Sequence, residues 1–316
     1  MTDFTELPDL ASRALAGSVV AANDEFFAAR ENLIQPGPPA VVPTFGHKGK
    51  EYDGWETRRR REPGVDWAIV RLGVPGVIHG VVVDTAHFLG NYPPFVSVEA
   101  ASVDGYPSAA ELADLHWEPI VARSPAAGGS VNAYPVTDPR DWTHVRLTLH
   151  PDGGVARFRV HGTPAPDPRF LTGTIDLAAL ENGGGLVSCS DAFYGSAEKM
   201  ILPGRAHDMG EGWENARRRD DGNDWAVVRL AGAGVVRHVE LDTSYFLGNA
   251  PGWVQLSGCA DLDAGEWFDL VPKQRSQPDT RHRYLVAEDR PVTHVRLDVY
   301  PDGGIARLRV WGELTS

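Results

Sequence analysis

Two stretches of this chain concentrate side chains that can bind an anion and move a proton. The first, DGWETRRRREPGVDW at 53–67, sets Glu56 ahead of Arg58, Arg59, Arg60 and Arg61 and closes on Asp66. His47 precedes it, and Arg71, Asp84, Thr85, His87 and Asn91 follow. The second, EGWENARRRDDGNDW at 211–225, brings Glu214, Arg217, Arg218, Arg219 and Asp224, with His207 before it and Arg229, Asp242, Thr243 and Asn249 after it. An arginine fork holds a carboxylate through two parallel charged hydrogen bonds. Asp, Glu and Asn meet the N–H and C=O groups of a urea-type amide, and a histidine or carboxylate beside them serves as general acid or base. The set suits a small, planar, anionic substrate. Glu56, Asp66, Asp84 and His87 are the expected proton carriers. Arg58, Arg60, Arg71, Asn91, His47, Glu214, Arg218 and Asp242 are the expected substrate-binding groups.

The same residues also have structural uses. Asp66 and Asp224 precede Trp at a strand start, where a carboxylate serves turn amides. Asp84-Thr85 and Asp242-Thr243 suit strand ends, and Asn91 before Tyr-Pro suits a turn. Arg59 to Arg61 fit a solvated face. Arg157, Arg159, Arg307 and Arg309 fit the outer face of a sheet or an inter-domain contact. No Walker A loop, HExxH, GxSxG or dinucleotide fingerprint is present. No cofactor is required by the sequence. Asp84, His87 and His47 would be the ligands of a divalent metal, but no spacing demands one.

The chain has 316 residues and a net charge of −13, so its overall field repels phosphate backbones and argues against nucleic acid as a partner. Two cysteines, Cys189 and Cys259, are too few for a disulfide framework. The N-terminus lacks the pattern of a signal peptide, and no run of about 18 apolar residues occurs, so no membrane partner is expected. A cytoplasmic protein is expected.

These groups must be positioned by a framework that occurs twice. VDTAHFLGNYP at 83–93 returns as LDTSYFLGNAP at 241–251, and THVRLTLHPDGGVARFRVHG at 143–162 returns as THVRLDVYPDGGIARLRVWG at 293–312. The lead-in NDEFFAARENLIQPG at 23–37 returns as SDAFYGSAEKMILPG at 190–204. The offset is 167 for the lead-in, 158 for the middle blocks and 150 for the last, so two loops differ in length. Short runs rich in branched residues read as strands. Val145, Leu147 and Leu149, then Ala156, Phe158 and Val160, alternate with polar residues around PDGG and predict a β-hairpin. Short helices are expected around 6–16 and 108–115. The whole reads as all-β: a β-sandwich over 1–165, a linker over 166–185 and a second sandwich over 186–316.

The stretches LPDLASRALAGSVVAANDEFFAARENLI, DGWETRRRR, DWAIVRLG, VDTAHFLGNYP and HVRLTLHPDGGVARFRVHG, with their second copies, resemble the allantoicase (allantoate amidinohydrolase) family over nearly the whole chain. The resemblance implies two tandem jelly-roll domains. It also implies hydrolysis of allantoate to ureidoglycolate and urea in purine and ureide breakdown. Arg58 is matched by Ala216 and His87 by Tyr245, which tells against two equivalent sites. The mechanism expected is capture of the allantoate carboxylate by an arginine from 58–61 or by Arg71, with protonation of the departing urea nitrogen. A tandem carbohydrate-binding protein with Trp55, Trp67, Trp213 and Trp225 as stacking platforms is the rival reading. A hydrolase releasing urea from ureidoglycolate is another. Edge strands and apolar-flanked hairpins suit a homo-oligomer.

Overall fold

The computed structural model describes residues 3–315. It divides into two compact units between Ala165 and Pro166. The first is built on seven longer strands: β1 (Ser18–Ala22), β2 (Asp66–Asp84), β3 (Phe95–Ala101), β4 (Glu118–Pro125), β5 (Val131–Pro135), β6 (Asp141–His150) and β7 (Arg157–Pro164). The second repeats them as β8 (Gly185–Cys189), β9 (Asp224–Asp242), β10 (Trp253–Cys259), β11 (Phe268–Arg275), β12 (Arg281–Leu285), β13 (Val292–Tyr300) and β14 (Arg307–Leu314).

One long strand organises each unit. Residues 66–71 of β2 pair with β1 and β6, and β3 and β4 extend that sheet. Residues 76–84 of the same strand pair with β7 and residues 80–84 also with β5, while Gly76 and Val77 still meet the start of β6. The register breaks between Arg71 and Gly76, where the chain leaves one sheet for the other. Gly76 is required at this corner, because a Cβ there would stand 2.4 Å from the Thr163 carbonyl oxygen. β2 thus runs away from one end of the sandwich and returns to it. Asp66 is opposite Leu149 and Asp84 is opposite Arg157, residues that flank one short connection. The antiparallel registers bring the loops 23–65, 85–94, 126–130 and 151–156 to this same end. β9 repeats the path, with Asp224 opposite Val299 and Asp242 opposite Arg307.

The alternation seen in the sequence defines the core. Val145, Leu147 and Leu149 from one sheet and Ala156, Phe158 and Val160 from the other are fully buried. Each large aliphatic or aromatic side chain so buried contributes about 1.5–3 kcal/mol. The expected hairpin over 143–162 does not form. β6 pairs with β2 and β3, whereas β7 pairs with the returning half of β2. Asp152-Gly153-Gly154 carries the chain between the two layers. Period-2 alternation marks one buried face per strand, and facing strands of a sandwich satisfy it as well as paired ones do.

The expected short helices form as 3₁₀ turns at Phe4–Glu6 and Arg13–Leu15 and as α1 (Ala109–Ala113), which starts with a Ser108/Glu111 capping box. α1 lies in a segment that is longer in the first copy. Leu112 and Trp117 from that segment cover Ala21 and Ile69 on the outer sheet face. Residues 166–185, expected as a linker, pack with the second unit. Asp176 is buried and accepts hydrogen bonds from the Ala178 and Val310 amides, as Asp9 accepts from those of Ala11 and Val160 in the first unit. The repeat therefore begins some ten residues earlier than the sequence blocks suggest.

Candidate functional site

The site gathers where loops 23–65, 85–94 and 151–156 meet. Two residues, Trp55 and Glu56, form a short ladder with Val155 and Gly154. On its other side the Glu56 backbone exchanges hydrogen bonds with Ala28, which brings the turn 24–28 alongside. The Trp55 ring is fully buried and its Nε1 donates to the Asp24 carbonyl at 2.8 Å. These contacts fix the Glu56 backbone from both sides.

The Glu56 side chain is half-buried. Asn91 Nδ2 donates to its Oε1 at 2.7 Å. Desolvation pushes the Glu56 carboxyl above the ordinary glutamate range, and the Asn91 hydrogen bond offsets part of that rise. Glu56 Oε2 is left as the oxygen able to exchange a proton.

Arg58 stands two residues on. Its Nε donates to Asp24 Oδ2 at 2.6 Å, and its amide donates to Asp24 Oδ1. Its guanidinium lies 5.4 Å from the centre of the Phe26 ring. Desolvation raises the Asp24 carboxyl, but hydrogen bonds from the Phe26 amide and from Arg58 outweigh it and hold Asp24 below the usual carboxylate range. Arg58 remains largely exposed, with a free edge toward solvent. The hairpin Phe45–Lys50 reaches over the same turn: Lys48 Nζ donates to the Phe26 carbonyl at 2.6 Å and lies 4.5 Å from the Phe26 ring centre.

The other sequence candidates fall elsewhere. Arg60 Nη1 donates to Asp66 Oδ1 at 2.6 Å, and Asp66 is only 1% exposed, so the two hold the turn 60–66 closed. Arg218 and Asp224 do the same at 2.6 Å in the second unit. Asp84 accepts from the Ala86 amide and caps its strand end. Asp242 is buried and accepts from the Ser244 amide and hydroxyl. Arg71 lies five residues along β2 from Asp66, about 17 Å away at strand rise, opposite His144 and Ser18. His47 is exposed on its hairpin. His87 adopts φ 69°, as Tyr245 adopts 72°, so the left-handed turn belongs to the fold and not to the histidine. Glu214 repeats Glu56: it accepts from Asn249 Nδ2 at 2.6 Å.

Among the described residues, no three His, Cys, Asp or Glu side chains converge as a metal site would require. His87 Nε2 instead faces the Pro39 carbonyl at 3.4 Å. Trp55 and Trp213 are fully buried, and the partly buried Trp67 and Trp225 are covered by the Ala21/Ile69 cluster and by Arg296 respectively, so the carbohydrate-binding reading is not favoured. Arg157 and Arg307, expected on an outer face or between domains, are buried within their own units, where they bind loop carbonyls. Sequence reasoning missed Asp24, Phe26 and Lys48. Asp24 and Phe26 recur as Asp191 and Phe193 in the lead-in, a signal that was available; Lys48 has no counterpart that could have marked it. No helix among the described residues is long and apolar enough to cross a membrane.

Comparison with known proteins gives one answer. The allantoicase repeat family model matches residues 8–165 and again 175–315. A probable allantoicase of Nocardia farcinica is 58% identical over 98% of this chain and 95% of its own length. One from Streptomyces coelicolor is 51% identical over 99% of this chain and 87% of its own. The crystal structure of allantoicase from Saccharomyces cerevisiae superposes with a TM-score of 0.86 at 38% identity, covering 97% of this chain and 93% of that one.

Proposed function

The chain belongs to the allantoicase family, and on that premise we propose that it hydrolyses allantoate to ureidoglycolate and urea at the Glu56 end of the first unit. The carrying observation is Glu56 itself: a half-buried carboxyl with a raised pKa, fixed at one oxygen by Asn91. A carboxyl that holds its proton more tightly than an ordinary glutamate is the better suited to act as a general acid.

Allantoate carries one carboxylate and two ureido groups on a central CH. Arg58 pairs with the carboxylate through its free edge. Glu56 Oε2 gives its proton to the ureido nitrogen that departs. The C–N bond breaks, urea leaves with the bonding pair, and water adds its oxygen to the carbon. The proton released by that water returns to Glu56, which restores the starting acid. Asn91 keeps Oε1 occupied so that Oε2 faces the substrate. We infer a cytoplasmic setting for the reaction, a reading supported by the two free thiols, Cys189 and Cys259. We infer a homo-oligomeric state from edge strands such as β4, whose ladder among the described strands is with β3 alone.

Glu56→Gln tests the assignment. The amide still accepts from Asn91 but cannot donate a carboxylic proton. Urea release at saturating allantoate should fall by roughly 10²–10⁴-fold with the fold intact by circular dichroism. Full urea release by this variant removes Glu56 from the chemistry.

A further inference from the structure

Two cations converge on one aromatic ring in the first unit, and neither has an equivalent in the second. Arg58 and Lys48 lie 5.4 and 4.5 Å from the Phe26 ring centre. They reach it from separate segments, the turn after Glu56 and the hairpin Phe45–Lys50. Asp24 anchors the first through its carboxylate and the Phe26 carbonyl anchors the second. Holding two positive side chains together is unfavourable unless a ring face, a carboxylate or a ligand anion offsets the repulsion. Asp24 supplies one negative charge for the two, so the pair keeps a net positive charge on an acidic protein.

The second unit preserves the surroundings without the cations. Trp213 Nε1 donates to the Asp191 carbonyl, as Trp55 does to Asp24. Asp191 Oδ1 accepts from the Phe193 amide and from the amide of Ala216, the residue at the position of Arg58. Phe193 and Tyr194 pack edge to face, as Phe26 and Phe27 do. The offset drop from 167 to 158 makes the loop before Trp213 nine residues shorter than the one before Trp55. That stretch is a short 3₁₀ turn at Met209–Glu211, with no Phe45–Lys50 hairpin. Lys199, the nearest lysine in sequence, donates to the Gly210 carbonyl.

We propose that Lys48 and Arg58, mounted on Phe26, form a carboxylate clamp that makes the first unit the one that takes an anionic substrate, while the Glu214–Asn249 pair of the second unit turns none over. Lys48 is thus a substrate-binding residue for the reaction assigned above, and Asp24 is a positioning residue that aims Arg58. The inference rests on the Glu56 reading, because the turn 24–28 that carries the clamp is hydrogen-bonded to the Glu56 backbone through Phe27 and Ala28.

Steady-state urea release from allantoate tests it at low ionic strength, with the full chain. Lys48→Ala should raise KM about tenfold with kcat changed little, the size of one charge-assisted contact. Lys48→Arg should restore most of that KM. Lys50→Ala removes the same charge from the same hairpin, but over Tyr52, and should leave KM within about twofold. The double variant Lys48→Ala/Arg58→Ala should lose about a hundredfold in kcat/KM, with a single kinetic phase. An independent second site would instead leave close to half of the turnover at the original KM, and that result overturns the proposal. Equal KM effects at Lys48 and Lys50 overturn it too, since bulk charge would then explain both. If Glu56→Gln is inactive while the clamp variants keep the original KM, the proton assignment stands and the clamp alone fails.

Discussion

Arg157 is the support on which the site loop hangs, and its removal should be felt at both the fold and the substrate. Its guanidinium is almost wholly buried. Nε donates to the Gly37 carbonyl, Nη1 to the Asn32, Asp53 and Ala156 carbonyls, and Nη2 to Asp53 Oδ2 at 2.7 Å. Desolvation raises the Asp53 carboxyl, but the Arg157 hydrogen bond, the Ala40 amide and the Arg157 charge together hold it below the usual carboxylate range. Arg157→Met keeps the apolar stem but leaves one carboxylate and several carbonyls without a donor. Breaking a buried pair by deleting one partner costs about 3–5 kcal/mol, and the contacts made by one side chain do not add independently. At roughly 2–4 °C per kcal/mol, the first unit's thermal transition should drop by about 6–20 °C. Scanning calorimetry reads this directly, and the second unit's transition, which keeps Arg307 on the Gly204 and Glu211 carbonyls, should stay in place. Because residues 37–53 carry Lys48, KM for allantoate should rise as well. Arg157→Lys keeps the charge without the fork and should recover only part of either loss. A melting profile and KM that both match the parent would show that the loop is held by something other than this guanidinium.

Three further substitutions are predicted from the same geometry. Asn91→Ala removes the hydrogen bond that favours ionised Glu56, so the carboxyl rises further; the alkaline limb of the kcat/KM profile should move to higher pH, and a downward shift would contradict the acid role. Because the folded pKa of Glu56 is raised, its contribution to stability is present below the unfolded value and lost as pH rises through the folded one. Asn91→Ala should therefore move that loss to higher pH in urea denaturation. Arg71→Ala should leave KM for allantoate unchanged, while the pKa of His144, held at about 4 by burial and then by Arg71, rises in a histidine NMR titration. Asp66→Ala should cost about 1.5–3 kcal/mol in denaturant unfolding, because it removes the buried acceptor of the Arg60 and Asn23 side chains; no loss would mean that the pair is dispensable.

The internal repeat made the architecture readable, and it also misled. Every residue that the fold needs at the end of the sandwich occurs twice, so repetition marked Glu56 and Asn91 but marked Asp66, Arg60 and Asp84 equally well. The two groups differ in what the side chain faces. Asp66 and Asp242 are buried, so even an oxygen left unpaired there faces protein, whereas Glu56 is only half-buried, with one oxygen held by Asn91. Sequence carries no record of that difference, because it depends on which loop closes over which strand end. The hairpin expectation failed for a related reason: alternation states which face is buried and is silent on the partner. Lys48 and Asp24 were out of reach because their significance lies in converging, from residues 24, 48 and 58, on one ring. The departures between copies were the better guide. Where one unit keeps a scaffold and drops a charge, as Ala216 does for Arg58, the fold does not need that charge and its presence in the other unit calls for a ligand. His87, replaced by Tyr245 on the same backbone turn, passes that comparison too, but its Nε2 faces the Pro39 carbonyl. An unmatched residue thus points to substrate only where it also sits beside a group able to do the chemistry, and Arg58, two residues from Glu56, meets both conditions.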